Sequence, residues 1–583
     1  MNITLIDLIK HERKEQNLTK RQLYTGLCSP ATATRIEQGE RIPDYLTLHA
    51  ILDRLGLSMR LFCAYLSVDE ISYLKWRRDV VITASLEDDS KLDSITDREP
   101  ECDTLNTRLM LQYRDYIKGM NYCRQKEYEL ALECFSRSLK YTNVDLACHN
   151  LEGIRASSFE LFLYLLMMQI QFQNKMNMAP YIEKTIEYMK KRAAHNKNIG
   201  NLMMLAFCIY FDHTQEGRNV GFEKWVVDWI RKKQTLFHAT DVLRRVDEVA
   251  YHDVICAFKA LYQKYGVESE YRFWVPCWTD SGVEYQKDYI RGGRLANGKT
   301  QSEVADGILE VENYSRIESG QVKPLWRNYK KISQRIGIDD RYITMDIETS
   351  QIDVFRLSKK IIQLVNANDV VGAALAIECF EECAEDNVAN RRFLSAYQCV
   401  LKQRKVTDAQ KMEQLLNEVM QEFTKEVKLK NIGKRVYKYS MPNVVFINTI
   451  AAIMERQKKY KETRDFLEKV CIDFAGQNEK METRVLERMG VLLNLCRIRS
   501  DVEDYKAAFR VSSDIIKMIV SLKEPFYLTS ALLEHVYNMV HGAGEEDVEE
   551  YAEILLAIAR FLGDANIVNY LEQLMLKNGK ESG

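Results

Sequence analysis

Leu18-Thr19-Lys20-Arg21-Gln22-Leu23, then Gly26-Leu27-Cys28-Ser29-Pro30, then Thr34-Arg35-Ile36-Glu37-Gln38-Gly39 is the stretch that decides the fold. Thr19 with Gln22 three residues later is a capping-box pattern, in which each side chain satisfies a backbone amide that the first helical turn leaves without a partner. Ser29 and Pro30 read as the N-cap and first residue of the next helix. Gly39 supplies the left-handed stop that ends it near Gln38. Upstream, the apolar positions from Leu5 to Gln16 fall at helical spacing; downstream, Leu46, Leu48, Ile51, Leu52 and Leu55 form the stripe of a fourth helix that ends near Gly56. Four short helices with a tight turn between the second and third make a helix-turn-helix head.

The same plan recurs later in the chain. Thr19, Gly26, Arg35, Ile36, Glu37, Gly39 and Pro43 reappear as Thr300, Gly307, Arg316, Ile317, Glu318, Gly320 and Pro324, each 281 positions on, and Arg13 reappears as Arg294. An offset held without insertion across that many matches marks an internal duplication. The second head reads as Thr300 to Gly307, Glu310 to Ser319, and a helix through Tyr329, Ile332 and Ile336 to Gly337. The likeness extends past the heads, Ile71 and Leu74 answering to Ile352 and Phe355.

With 583 residues the chain exceeds the reach of one core, and its 46% hydrophobic content, 8 prolines and 25 glycines favour amphipathic helices over sheets. The expected class is all-α, two helix-turn-helix heads each followed by a tetratricopeptide-like helical-repeat domain. The boundaries are 1–70 for the first head, 71–108 for a connecting helix and acidic linker, 109–280 for the first repeats, 281–346 for the second head and 347–583 for the second repeats. Gly119, Tyr122, Tyr128, Ala131, Phe135 and Ser138 stand at tetratricopeptide spacing, echoed by Ala376 with Phe380 and by Tyr460 to Leu467. The join Phe273-Trp274-Val275-Pro276-Cys277-Trp278 is too bulky for a flexible linker; it either packs the halves together or caps a helix.

Fourteen cysteines without paired spacing, and no leader ahead of Asp7-Leu8-Ile9-Lys10, point to free, mostly buried thiols in a reducing cytoplasm. The most apolar run, Phe159 to Phe172, is too short to span a bilayer and is broken by Glu160 and Gln169, so a buried helix is expected and no membrane partner. The net charge of -2 argues against indiscriminate coating of nucleic acid. Residues 1–66 nonetheless carry nine Lys or Arg against seven acids, and residues 285–345 eleven against eight, which suits compact readers making a few phosphate contacts.

A helix of this type enters the major groove by its N-terminal residues. Pro30, Ala31, Thr34 and Arg35 are then the groove-facing set of the first head, Arg35 reaching guanine or a phosphate, with Lys20, Arg21 and Arg41 on the backbone. The matching set in the second head is Val311, Glu312, Ser315 and Arg316, with Gln301 and Lys323 as backbone candidates. Glu310 and Glu312 are repelled by phosphates unless they accept from cytosine, so the second head either reads a different sequence or has lost DNA binding. Arg13 with Glu37, and Arg294 with Glu318, are expected to be fold-holding ion pairs.

Other motifs are weaker. Gly293, Gly298, Lys299 and Thr300 satisfy a phosphate-loop pattern, but Asp288-Tyr289-Ile290-Arg291 upstream is helical in register with the first head where a strand is required. Cys379 and Cys383 lie four apart on an apolar helix face with no further metal ligands in evidence, so core packing is expected and no metal. No catalytic constellation emerges among nine histidines, and neither an enzyme nor a cofactor is expected.

On the residues quoted for the two heads, with Ser315-Arg316-Ile317-Glu318-Ser319-Gly320 completing the second, the sequence resembles the peptide-pheromone-responsive regulators of Gram-positive bacteria, the RRNPP group of Rgg and PlcR type, with XRE (phage-repressor-like) heads. The resemblance implies a transcriptional regulator that binds double-stranded DNA and a short signalling peptide on the concave face of its repeats, as a homodimer or, here, an intramolecular pseudodimer. It suggests Asn150, Arg155 and Asn201 in the first half and Arg392, Asn448 and Asn494 in the second as peptide-binding candidates. Two linked heads would raise the local concentration of the second to roughly millimolar, on an imperfectly palindromic operator with half-sites about 34 Å or a multiple apart. The alternative from another class makes the repeats a docking scaffold for a protein, with no peptide ligand.

Overall fold

The computed structural model describes residues 5–57, 62–85, 89–174, 176–193, 197–213, 220–233, 236–267, 283–338, 343–349, 351–434, 437, 439–474, 485–522, 526–543 and 547–581. Helices dominate them, and the class is all-α. The chain divides into two compact units that interleave in sequence: Met1–His11, Met59–Leu74 and Thr279–Val511 form one, and Glu12–Ser58, Lys75–Trp278 and Ser512–Gly583 the other. The aromatic join Phe273 to Trp278 lies outside the described residues.

The second unit contains the body of the first head, with helices Lys20–Tyr24, Pro30–Gln38 and Tyr45–Leu55. Next comes the hairpin Thr107–Arg124 with Tyr128–Lys140. Its close approach depends on Gly119, where a Cβ would lie 2.5 Å from Phe135 Cε1. The apolar run Ser158–Gln173 is a buried helix, entered through a capping box made by Ser157 and Glu160. Residues 85–108, expected as a linker, instead include the helix Asp89–Thr96. That segment is held in place: Trp76 Nε1 donates to the Ile95 carbonyl at 2.8 Å, and Cys102 and Leu105 are buried. Apolar residues among the acids outweigh the polar composition.

The last helices also depart from the expected boundaries. Residues 512–583, expected to close the second repeat domain, belong to the unit of the first. Helix Val548–Leu562 packs on His252–Tyr265, where Lys264 Nζ lies 2.8 Å from Glu550 Oε2 and Tyr251 meets Phe561 edge to face at 6.0 Å. His535, on Leu528–Val540, is sealed between the Ser512 hydroxyl, 2.9 Å from Nδ1, and the Tyr551 ring.

The other unit holds the second head and the hairpins Ile352–Asn366 with Val370–Cys383, Val388–Lys405 with Ala409–Thr424, and Met441–Arg456 with Tyr460–Phe474, followed by Val485–Asp501. Phe423, Phe446, Ile447, Leu467 and Val470 fill the core of these repeats. The head keeps a core of its own: Ile290, Val304, Ala305, Tyr314, Ile317, Tyr329, Ile332 and Ile336.

A small sheet in this unit was not anticipated from the sequence. Strand β1 (Phe62–Leu66) pairs in parallel with β2 (Val283–Tyr285) and antiparallel with β3 (Ile343–Met345), in the order β2-β1-β3. Phe62 stands opposite Met345, Cys63 opposite Thr344 and Ala64 opposite Ile343. Under the 281-residue offset Phe62 corresponds to Ile343, Cys63 to Thr344 and Ala64 to Met345. The register is therefore its own image, a local dyad passing between Cys63 and Thr344, which is the isologous pairing that two identical strands would make in a two-fold dimer.

Candidate DNA-binding heads and peptide-binding face

In the first head every turn is fixed by the residues that suggested it. The Thr19 hydroxyl accepts from the Gln22 amide and Gln22 Oε1 from the Thr19 amide, closing the capping box. Ser29 Oγ accepts from the Thr32 amide, and Pro30 opens the third helix. That helix buries Ala33, Ile36 and Glu37 and so turns Pro30, Ala31 and Arg35 to the exterior, with Thr34 half-buried beside them. Arg21 and Arg41 are exposed on the flanks; Lys20 Nζ sits 3.4 Å from Thr34 Oγ1 and 3.6 Å from Glu37 Oε2. The result is one continuous face with small groups at the centre and cations at its rim.

Beneath that face, Arg13 donates to both oxygens of Glu37, Nε at 2.7 Å and Nη2 at 3.1 Å, and from Nη1 to the Leu18 carbonyl at 2.8 Å. One guanidinium thus joins the first helix, the turn and the third helix. The twin pair is nearly superimposable in its distances: Arg294 to Glu318 at 2.6 and 3.0 Å, and to the Lys299 carbonyl at 2.8 Å. Burial pushes the Glu318 carboxyl up, but hydrogen bonds from Arg294, Gln301 and Tyr314 outweigh it and hold the group below its usual range.

A second arginine was missed in reading the sequence, although it too obeys the offset. Arg54 and its twin Arg335 each brace their head by donating to carbonyls of the second helix, Leu23 and Thr25 at 2.8 Å in one, Val304 at 3.1 Å and Asp306 in the other. Arg54 also meets a carboxylate. Its Nη2 lies 2.5 Å and its Nε 3.3 Å from Glu160, both side chains being almost wholly buried. Around this pair Asp53 accepts from the Ser158 amide and hydroxyl, Arg155 and Arg192 donate to the Arg54 carbonyl, and Asn106 joins Asp44, Leu27 and Thr47. The first head is therefore clamped to the helices that follow it by a buried polar network. Its adjoining cavity, lined by His49, Asp53, Arg77, Gln112 and Phe159, has a volume of about 20 Å³, room for one water and no larger ligand.

In the second head Val311, Glu312, Ser315 and Arg316 are all exposed. Gln301, where the first head has Lys20, is turned inward onto Glu318 at 2.9 Å. Lys323 places its ammonium 3.1 Å from both oxygens of Glu70, a nearly buried carboxylate.

The peptide candidates divide. Asn150 is exposed and its Oδ1 accepts from the Glu152 amide; Arg155 is part of the clamp just described; the Asn201 side chain lies outside the described residues. Arg392 and Asn448 lie on the first helices of two successive hairpins and Asn494 on the helix that follows them, and Asn494 Nδ2 donates to Asn448 Oδ1 at 2.9 Å. Arg392 is engaged by Glu426 at 3.0 Å, by the Glu422 carbonyl and by Asn443. Cys379 and Cys383, expected in the core, are exposed, and only five of the thirteen described cysteines are buried, all thirteen being free. Among the described residues no cluster of three or more metal-ligating side chains occurs, and no helix is long and apolar enough to cross a membrane.

Residues 9–62 match the helix-turn-helix family HTH_3, so the first head is a DNA-binding domain of the type used by transcriptional regulators. No curated protein matches the chain. Among solved structures it is similar to Bacillus thuringiensis PlcR in complex with the peptide PapR7 and DNA, at 16% identity and a TM-score of 0.33 over 49% of this chain and 98% of that one. It is also similar to ComR from S. thermophilus in complex with DNA and its signalling peptide ComS, at 15% and 0.31 over 50% and 99%. A third is the SHP pheromone receptor Rgg2 of Streptococcus dysgalactiae, at 14% and 0.27 over 50% and 99%. PlcR, ComR and Rgg2 are of the group that the sequence resembles.

Proposed function

We propose that this chain is a sequence-specific transcriptional regulator, built by tandem duplication, that reads DNA through its first head and is switched by a short peptide held on its helical repeats. The observation that carries the reading is the outward face of helix Pro30–Gln38: Pro30, Ala31 and Arg35 exposed at its surface, Lys20, Arg21 and Arg41 around them, and the opposite side locked by Glu37. Small residues there allow close approach to base edges, Arg35 supplies a donor for guanine, and the rim cations meet phosphates.

The peptide half of the reading is supported by Arg392, Asn448 and Asn494, whose helices neighbour one another in the second-half repeats. Asparagine amides at regular helix spacing hold an extended peptide backbone without demanding a particular sequence, because each supplies a donor and an acceptor. A bound peptide acts only through its differential affinity for two states of the protein. Footprinting on genomic DNA, followed by filter binding to the recovered site with and without synthetic peptides encoded beside the gene, tests both halves. Specific protection supports the DNA reading, and an operator affinity unmoved by any peptide removes the sensing half.

A further inference from the structure

We infer that the two heads have divided their labour, so that one chain reads one half-site with its first head alone, while the second head is a structural twin that has given up DNA. The inference rests on the reading of the first head as the DNA reader. Its basis is a position-by-position comparison under the 281-residue offset: Lys20, Arg21 and Arg41 become Gln301, Ser302 and Val322, so that each rim cation of the first head is replaced by a neutral side chain. Over the same face Ala31 becomes Glu312, Ser29 becomes Glu310 and Thr25 becomes Asp306, all three exposed. On the third helix of the second head, Val311–Ser319, the cation kept is Arg316.

The geometry removes what the substitutions leave. Gln301 is committed to Glu318, and Lys323, a cation just after the third helix, is committed to Glu70. The turn after that helix is occupied as well: a Cβ at Gly320 would lie 2.5 Å from Val68 Cγ2, whereas Gly39 in the first head has nothing within 4 Å. A DNA-reading surface gains most of its affinity from cations that displace counterions from phosphates, and acids at the same positions reverse the sign of that interaction. Meanwhile the second head retains a mechanical task. It is followed by β3, which pairs with β1, and its Gly320–Lys323 turn packs on the segment that follows β1. The twin thus completes within one chain a strand pairing that otherwise takes two.

The operator consequence is that a site with two half-sites takes two chains. The test uses the full-length protein and the site found by footprinting. Mass photometry on a duplex with both half-sites is expected to show two chains per duplex, and on a duplex with one half-site a single chain. Arg35→Ala is expected to weaken operator binding about 5- to 150-fold, and Arg316→Ala to leave affinity and salt slope unchanged. The graft Gln301→Lys, Ser302→Arg, Glu312→Ala, Val322→Arg, all at exposed or half-exposed positions, is expected to steepen the salt slope by about 2.7, roughly 0.9 for each of three restored phosphate contacts. One chain protecting both half-sites, or Arg316→Ala weakening binding as Arg35→Ala does, overturns the division of labour. If Arg35→Ala has no effect, the failure is that of the first-head reading.

Discussion

Replacing Glu160 by glutamine tests how the first head is held to its repeat domain. In the wild type its carboxylate is paired with Arg54, at 2.5 and 3.3 Å, in surroundings where both side chains are almost fully buried. Arg155 and Arg192 point at the same locus through the Arg54 carbonyl, and burial with the neighbouring Arg192 charge already brings the Arg155 guanidinium down to about 10. Loss of Glu160 takes the carboxylate out of a cluster of three guanidinium groups, and breaking a buried pair in this way costs about 3–5 kcal/mol. The readout is amide hydrogen exchange across Ser158–Gln173 and the first head at pH 7, chosen because a chain of two units need not unfold in one step. Converting both partners, Arg54→Met with Glu160→Leu, should recover only part of the loss, since the Leu23 and Thr25 carbonyls then lose their donor at about 1–3 kcal/mol each. The pH dependence has a definite sign. Burial raises the Glu160 carboxyl, but Arg54 and the Ser157 amide outweigh it and leave it below its ordinary value of 4.5, so the stabilisation is present above about 4.5 and disappears as pH falls through the lower folded-state value. A destabilisation by Glu160→Gln below about 1 kcal/mol would refute the clamp, because it would mean that the charges are solvated.

Three further outcomes follow from single residues. His535 is fully buried, and burial, with Lys264 nearby, lowers its imidazole to about 4 from 6.5; its unit should therefore lose up to about 2 kcal/mol between pH 6.5 and 5, a slope that urea titrations should find absent in His535→Gln. Gly119→Ala places a methyl against the Phe135 ring and should cost about 1–3 kcal/mol by overpacking, with Phe135→Leu restoring part of it; additive effects of the two changes would show that the hairpin does not close at that contact. Gly39 ends the third helix at φ +77 with open space around it, so Gly39→Ala should cost about 1–2 kcal/mol from backbone conformation alone, measured as a midpoint shift in denaturant with the m-value unchanged.

The heads were legible because short-range rules write them. A capping box, a Ser-Pro helix start and a left-handed glycine each act within four residues, and the 281-residue repeat states them twice. The ion pairs were legible for the same reason, since Arg13 and Glu37 recur together with their helices. The clamp was not. Arg54 is visible as a cation in an apolar stripe, but its partner is 106 residues away, and nothing local identifies which of many glutamates closes the pair. The linker failed in the opposite direction: acids dominated its composition, while the few apolar residues that anchor it, Cys102 and Leu105, were too sparse to register.

The sheet shows why a repeated pattern alone does not settle function. Strand β1 is a continuous apolar run of five residues, which periodicity cannot tell from a helix segment, so the pairing that reveals the local dyad was invisible. Once the register is known, the local symmetry relates the strands of the two halves and says nothing about common use. Common use is decided at the surface, where selection on the core no longer constrains the side chains. There the paired positions have diverged in charge, Lys20, Arg21 and Arg41 against Gln301, Ser302 and Val322, while the positions that brace each head from within, Arg13, Glu37 and Arg54 against Arg294, Glu318 and Arg335, have not. Two heads that share their internal braces and differ in surface charge keep one fold while presenting different surfaces, and that contrast is the physical ground for the proposal that DNA belongs to the first head.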